Sequence, residues 1–345
     1  MKLASLQAAL GEKAIAGELM SRHTTFAIGG PADIFVVTRT VPELCTAVCL
    51  AYEHDVPYFI LGSGANLLVA DKGIRGLVIH NLCAAVAIGP ETNAQASRVE
   101  PQTGLSAASA DHAQERPEYV GGKDAWLVRA ESGALLRAIA QQATAQGLAG
   151  LEWAVDVPGT VGGAVVGNAG AFGGYVSDNL RHALVLTPSE GEPCSTESPA
   201  RWWSKDELGL GYRTSSLKEN RKAVRFPTVI LEAVFALHQE DALALRERAE
   251  QFTRRRLETQ PEGPSAGSVF KRTAQYPAGF LIENAGLKDM RIGGAVISPQ
   301  HANFIVNVGG ATAQDVQALI ELVREKVYAQ FKIMLELEVE LVGDW

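Results

Sequence analysis

Apolar residues recur along this chain at two periods, and the switching between them predicts a series of strands and helices. Over 24–38, TTFAIGGPADIFVVT, β-branched and aromatic residues flank a Gly-Gly-Pro turn, which predicts a strand, a turn and a second strand. From residue 40 the period lengthens. Leu44, Val48 and Ala51 share one face of a helix running to about His54, Thr40 with Glu43 makes a capping-box pattern, and Pro42 suits the first turn. A strand over 56–61 then ends in Gly62, Ser63, Gly64, Ala65 and Asn66, and LLVADKGIRGLVIHN after it reads as two more short strands. A strand over 125–130 leads to a helix from Ser132, with Leu135, Leu136, Ile139 and Ala143 on its apolar face and Gly147 at its C-terminal end. Strands over 183–187 and 229–237 are separated by a loop region holding Trp202, Trp203 and LGLGYRTSS. After Asp241 the residues Ala242, Leu245, Ala249 and Phe252 mark a helix ending in Arg254, Arg255 and Arg256, followed by a Pro/Gly-rich loop, QPEGPSAGSVFKR, that enters a strand. The last helix begins near Thr312, with Asp315 in capping-box relation and Val316, Leu319, Ile320, Val323 and Val327 on its apolar face. The chain closes on an alternating strand, with Ile333, Leu335, Leu337, Val339 and Leu341 on one side and Glu336, Glu338 and Glu340 on the other.

Intermixed strands and helices place the chain in the α+β class, and 345 residues exceed what one hydrophobic core usually serves. A net charge of −8 argues against a general role on nucleic acid or an anionic membrane, so any anionic ligand must be held locally. The amphipathic N-terminus, interrupted by Gln7, Glu12 and Lys13, lacks the continuous apolar region of a signal peptide, and no stretch reads as transmembrane. Cysteines 45, 49, 83 and 194 make no CxxC and read as reduced, structural and cytoplasmic. Seven histidines without ligand spacing give no metal site. Residues 89–122 are polar, with Tyr119 their only aromatic, and read as a long surface excursion without chemistry.

The chemistry concentrates in two glycine-rich stretches. In 155–174, VDVPGTVGGAVVGNAGAFGG, there is little side chain between the backbone and whatever lies against it. Such a backbone approaches a ligand closely, converges N–H groups on an anion, and here runs into a helix N-terminus that favours phosphate. The second stretch, GSGAN at 62–66, lies at a strand's carboxyl end, where ligands of α/β units bind. Neither matches GxGxxG or GxxxxGK[ST]. Two such loops favour one ligand gripped between two lobes, while the residues alone leave open two unrelated tight turns.

Seven strings, in order, carry a family resemblance: TTFAIGGPADIFV, LGSGANLLVADKGIRGLVI, VPGTVGGAVVGNAGAFGG, LGLGYRTS, PSAGSVFK, HANFIVN and LELEVELVG. Together they resemble the bacterial UDP-N-acetylenolpyruvoylglucosamine reductases, nearly end to end. The resemblance implies two lobes holding FAD non-covalently in the vanillyl-alcohol-oxidase-like manner, over 1–82 and 83–238. It further implies a substrate domain over 239–332, with a final strand over 333–345 returning to the FAD lobes. Gly62, Ser63, Gly64, Ala65, Asn66, Pro158, Gly159, Thr160, Gly162, Gly163, Asn168 and Gly170 would then hold FAD. The strand over 229–237 passes almost directly into the Asp241 helix, leaving no room for the tyrosine-bearing lid loop of some members, so the chain resembles the short form. Where the family often has Asn-Pro after the Lys of its serine segment, Arg272 and Thr273 follow Lys271.

The implied reaction is reduction of the enolpyruvyl ether of UDP-N-acetylglucosamine to the lactyl ether of UDP-N-acetylmuramate, in the cytoplasm, with NADPH as reductant. Hydride passes from flavin N5 to C3 while charge builds on C2 and the carboxylate. Ser268, in GSVFK, matches the family's proton donor to C2, Arg213 its charge-stabilising arginine, and Glu338 its glutamate, protonated by burial beside the substrate. Lys271, Arg254 and Arg255 are candidates for the substrate diphosphate. No nucleic acid, membrane or obligate protein partner is implied. Two other readings stay open: a different two-lobe FAD oxidoreductase or oxidase, and a non-catalytic sugar-nucleotide or flavin sensor.

Overall fold

Strand Val229–Gln239 is eleven residues long and buried along most of its length, and it organises the largest sheet. In this computed structural model, which describes residues 2–90, 125–188, 200–221 and 224–345, its neighbours are Leu180–Leu186 on one side and Ala125–Glu131 on the other. Arg201–Ser204 and Val86–Pro90 form the edges, and all these pairings are antiparallel. Trp202 and Trp203 therefore lie in a strand rather than in the loop region expected. Side chains favour it, with Arg129 of another strand over the Trp202 ring at 5.7 Å and Arg201, two residues along the same strand, over that of Trp203 at 4.8 Å. Gly89 and Pro90, expected to begin the polar excursion, end the strand Val86–Pro90, and the rest of the expected excursion falls outside the described residues.

The chain forms two compact units. The first comprises Met1–Gly11, Val37–Gly62 and Ile79–Thr253, and the second Glu12–Val36, Ser63–Val78 and Arg254–Trp345. The first unit's core gathers Val128, Leu136, Ile139, Val161, Val165, Ala233 and Phe235 around the large sheet. The second has its own core, in which Phe270, Leu281, Ile297, Ile305, Leu319 and Val323 pack together. Its sheet runs Ser265–Ser268, Phe304–Asn307, Ala295–Ile297, Arg291–Ile292, again antiparallel.

Helix ends follow local chemistry. Thr312 caps the helix Ala313–Phe331 in a reciprocal box, its hydroxyl accepting from the Asp315 N–H while its own N–H donates to the Asp315 carboxylate. Asp71 adds a cap that sequence spacing did not show, accepting from the N–H groups of Ala313 at 2.8 Å and Gln314 at 3.1 Å. At Val41–Glu53 the box is half-made. Thr40 accepts from the Glu43 N–H, but the Glu43 carboxylate reaches back to Arg39.

Several expected boundaries move. The helix expected from Ser132 spans Leu136–Ala145, because the carbonyls of Ser132 and Ala134 accept the N–H groups of Gly162 and Val161, both at 2.8 Å. Leu135, expected on the apolar face, is 38% exposed. The first strand expected in 24–38 is absent: the Thr24 hydroxyl donates to Ile28 O, Ala27 takes φ +53, and only Ala32–Thr38 is extended. The arginine triplet does not end its helix, which spans Ala242–Thr259. The closing strand shrinks to Glu340–Val342, since the N–H groups of Glu338 and Val339 both converge on Val269 O and break the ladder. Leu335 and Val339 are nonetheless buried as the alternation requires. Nor are all the cysteines reduced: Cys45 and Cys83 are free and buried, but Cys49 is disulfide-bonded, and spacing along a chain does not tell which thiols meet on folding. Among the described residues no three His, Cys, Asp or Glu side chains group as a metal site.

Candidate active site

In the first unit the glycine-rich stretch 155–174 is docked by its own backbone. Thr160 precedes a short helix, Val161–Val166, whose first two N–H groups are taken by the carbonyls of Ala134 and Ser132, while Leu136 N–H donates to Gly159 O. The open helix end expected for a phosphate is therefore partly closed at Val161 and Gly162. Space remains at Gly159, where φ is +131 and an added Cβ meets nothing within 4 Å, and at exposed Gly163, whose nearest neighbour is the Thr160 hydroxyl at 3.6 Å. Gly62 belongs to the same place, since a Cβ there falls 2.4 Å from that hydroxyl. Gly170 is glycine for another reason: its missing Cβ makes room for the Tyr175 ring. Pro158 is exposed beside Gly159.

Arg213 lies in the same unit, in a tight turn closed by Gly211 N–H to Thr214 O at 3.0 Å and Thr214 N–H to Gly211 O at 3.3 Å. Its φ of +58 is left-handed, a conformation that costs a residue with a Cβ about 1 kcal/mol or more. Asn168 donates from Nδ2 to Gly211 O at 2.9 Å and accepts Ser177 N–H on Oδ1 at 2.9 Å, and Ser215 Oγ donates to Val166 O at 2.6 Å. A cleft of about 790 Å³ elsewhere in this unit, lined by Tyr52, Trp203, Leu217, Arg221 and Phe226 among others, contains none of the candidate residues.

In the second unit Ser63, Gly64, Ala65 and Asn66 meet the serine and glutamate segments. Gly64, at φ +65, lies so close to His23 O that a Cβ would stand 2.2 Å away, so only glycine fits. Thr25 bonds Gly64 O through its N–H at 3.1 Å and donates its hydroxyl to Ser265 O at 2.7 Å, joining the loop to the strand that ends at Ser268. Asn66 Nδ2 donates to Glu338 O at 3.0 Å, and Glu340 N–H returns to Asn66 O at 3.0 Å. The Glu338 N–H donates to Val269 O at 2.8 Å, one residue from Ser268. Ser268 and Glu338 thus sit on neighbouring, mutually bonded backbones. Buried Asn303 holds the same segment from the other side: its Oδ1 accepts Phe270 N–H at 3.0 Å, its Nδ2 donates to Phe270 O at 2.8 Å, and its carbonyl accepts Val269 N–H. His301 Nδ1 accepts the Asn303 N–H at 3.2 Å, and burial holds this imidazole below its ordinary pKa.

Of the basic candidates, Lys271 stands 3.4 Å from an exposed Glu336 carboxylate, a pair of little energetic weight. Arg254 and Arg255 are exposed. Sequence reasoning missed Asn303 and Asp71, although Asn303 lies inside one of the seven strings, HANFIVN. Its signal was an asparagine in an apolar run, which must spend its amide on backbone if buried.

Comparison with known proteins bears on this arrangement directly. Residues 259–342 match the model of the UDP-N-acetylenolpyruvoylglucosamine reductase C-terminal domain, and residues 118–196 match an FAD binding domain. The UDP-N-acetylenolpyruvoylglucosamine reductase of Alkaliphilus oremlandii is 40% identical over 328 residues, 95% of this chain and 92% of its own. This chain belongs to the UDP-N-acetylenolpyruvoylglucosamine reductase family. The reductase of Exiguobacterium sibiricum is 39% identical over 99% of this chain and 97% of its own. The crystal structure of the Thermus caldophilus reductase superposes with a TM-score of 0.69 at 30% identity, covering 94% of this chain and 98% of that one. The protein is a flavin-dependent oxidoreductase of α+β fold.

The residues present fit FAD. The open space over Gly159 and Gly163 accepts a flat or phosphorylated group against bare backbone. In the second unit Ser63 Oγ is buried without a hydrogen-bond partner, a donor left for a ligand.

Proposed function

We propose that this enzyme uses NADPH to reduce the enolpyruvyl ether of UDP-N-acetylglucosamine, giving UDP-N-acetylmuramate for peptidoglycan precursor synthesis. One observation carries the reading: in a chain that matches named reductases over nearly its whole length, the serine and glutamate segments lie on directly bonded backbones. FAD, when bound, supplies the hydride shuttle between NADPH and C3 of the enol ether. Gly62, Ser63, Gly64, Ala65, Asn66, Pro158, Gly159, Thr160, Gly162, Gly163 and Gly170 line its site, without a covalent link.

Ser268 gives its hydroxyl proton to C2 as hydride arrives at C3, so that the C2=C3 double bond becomes saturated, and the hydroxyl is restored by water. A serine is a weak acid, but a carbanion-like C2 is basic enough to take its proton when position is right. The Arg213 guanidinium donates to the substrate carboxylate on which charge builds, and its planar fork matches that group. Glu338 is protonated in this role and donates a hydrogen bond to the same carboxylate. Lys271, Arg254 and Arg255 meet the UDP diphosphate.

The ligands divide the chain into FAD lobes at 1–82 and 83–238 and a substrate domain at 239–332. Residues 333–345 return to the first lobe, which is supported by the parallel pairing of Glu340–Val342 with Leu67–Val69. Only Glu240 and Asp241 separate strand Val229–Gln239 from helix Ala242–Thr259, which supports the short form without a lid loop. The enzyme works in the cytoplasm on nucleotide-linked small molecules, without nucleic acid, membrane or obligate protein partner.

The test is turnover of UDP-N-acetylglucosamine enolpyruvate with NADPH by the FAD-loaded enzyme, native and Ser268→Ala. The native enzyme turns over and the variant is slower by roughly 10²–10⁴-fold at equal flavin content. A native enzyme inert toward this substrate removes the reading, and an unimpaired variant removes the proton donor.

A further inference from the structure

Asn168 is 4% exposed and stands just beyond the short helix of the glycine-rich stretch, at φ +41. Its carboxamide is spent at both ends on backbone: Nδ2 on Gly211 O and Oδ1 on Ser177 N–H, each at 2.9 Å. Gly211 opens the turn that carries Arg213, and Arg213 is itself left-handed at φ +58. Two main-chain bonds, between Gly211 and Thr214, hold that turn's shape. Asn168 and the Ser215 hydroxyl, bonded to Val166 O at 2.6 Å, tie the turn to the glycine-rich stretch.

We infer that Asn168 is a positioning residue, which acts through the Arg213 turn and sets where the guanidinium meets the substrate carboxylate. The inference rests on the role of Arg213 given above. It departs from a place for the Asn168 side chain among the flavin ligands, because a carboxamide buried to this degree and bonded at both ends serves the backbone. It also accounts for an arginine held in a costly conformation, which persists only where its surroundings over-determine it.

The test uses the holoenzyme and measures its two half-reactions separately. Asn168→Gly removes both side-chain bonds yet keeps a residue at ease with positive φ. The expected result is FAD affinity and anaerobic flavin reduction by NADPH within about twofold of native. Reoxidation by UDP-N-acetylglucosamine enolpyruvate should be slower by roughly ten- to 10²-fold, the range for a reactive group displaced without being removed. In an Arg213→Ala background the same change should add less than about twofold, because residues that act as one unit are not additive. Weakened FAD binding with unimpaired reoxidation would make Asn168 a cofactor ligand and overturn the proposal. Full additivity with Arg213→Ala would overturn it too, by showing that Asn168 does not act through that arginine. An Arg213→Ala enzyme with normal reoxidation removes the parent reading as well, which sets that failure apart. Should the glycine variant not fold, Asn168→Asp, which keeps the acceptor for Ser177 and sets a carboxylate oxygen against Gly211 O, carries the same comparison.

Discussion

The arginine turn of the first unit and the serine–glutamate pair of the second are held by different means. Arg213 rides on a tight turn tied to the glycine-rich stretch by two side chains, Asn168 and Ser215. Ser268 and Glu338 lie on segments joined by main-chain bonds, from Glu338 N–H to Val269 O and from Lys271 N–H to Glu336 O, with Asn66 and Asn303 added outside them. A single substitution removes one of only two such ties in the first arrangement, whereas the second keeps its main-chain bonds after any one side chain is lost. Geometry built from side chains is easily retuned, and geometry built from backbone is robust.

The sharpest way to press this comparison is at the arginine itself. Arg213→Ala should slow reoxidation of the reduced flavin by substrate by roughly 10²–10³-fold, the cost of losing one charge-stabilising donor, with reduction by NADPH unchanged. Equal loss in both half-reactions would show that Arg213 serves the flavin rather than the substrate. Asn303 is the point at which the second arrangement is weakest. Asn303→Ala strands the buried Phe270 N–H and C=O, and denaturant unfolding should show a loss of about 1–3 kcal/mol or more. Asn66→Ala removes one partly exposed bond to Glu338 O while the ladder stays, so reoxidation should fall by no more than about tenfold, consistent with a bond of about 1 kcal/mol. A loss there matching that of Asn168→Gly would erase the contrast between the two regions.

The smallest effect concerns pH. Burial lowers the His301 pKa in the folded protein, so protonation favours the unfolded chain; the stabilising contribution is complete above the unfolded value of about 6.5 and is lost as pH falls through the lower folded value. Thermal melting should therefore drop more steeply below about pH 6.5 in the native protein than in His301→Gln.

Much of this was legible beforehand because it depends on local pattern. The capping box at Thr312 and Asp315, the helical face of Leu319, Ile320 and Val323, and the long strand around Phe235 all follow from residue type at fixed spacing. Where the sequence misled, a distant partner had claimed the backbone. Ser132 and Ala134 do not begin a helix because their carbonyls accept from Val161 and Gly162, nearly thirty residues on. Residues 333–339 alternate correctly yet form no continuous strand, only a bridge between Leu337 and Phe270, because Val269 O takes two of their N–H groups. The partners of Asn66, Asn168 and Asn303 lay beyond reach for the same reason, since an amide's partner is visible only once the chain has folded. Residue motifs pointed to Ser268, Arg213 and Glu338 only through family resemblance, for each alone reads as a surface or loop residue.

The most direct test of the central claim is anaerobic and spectroscopic: reduce the FAD-loaded protein with NADPH, then add UDP-N-acetylglucosamine enolpyruvate while following the flavin absorbance. The account predicts bleaching by the first and prompt recovery of the oxidised spectrum on adding the second. Bleaching without recovery would contradict it.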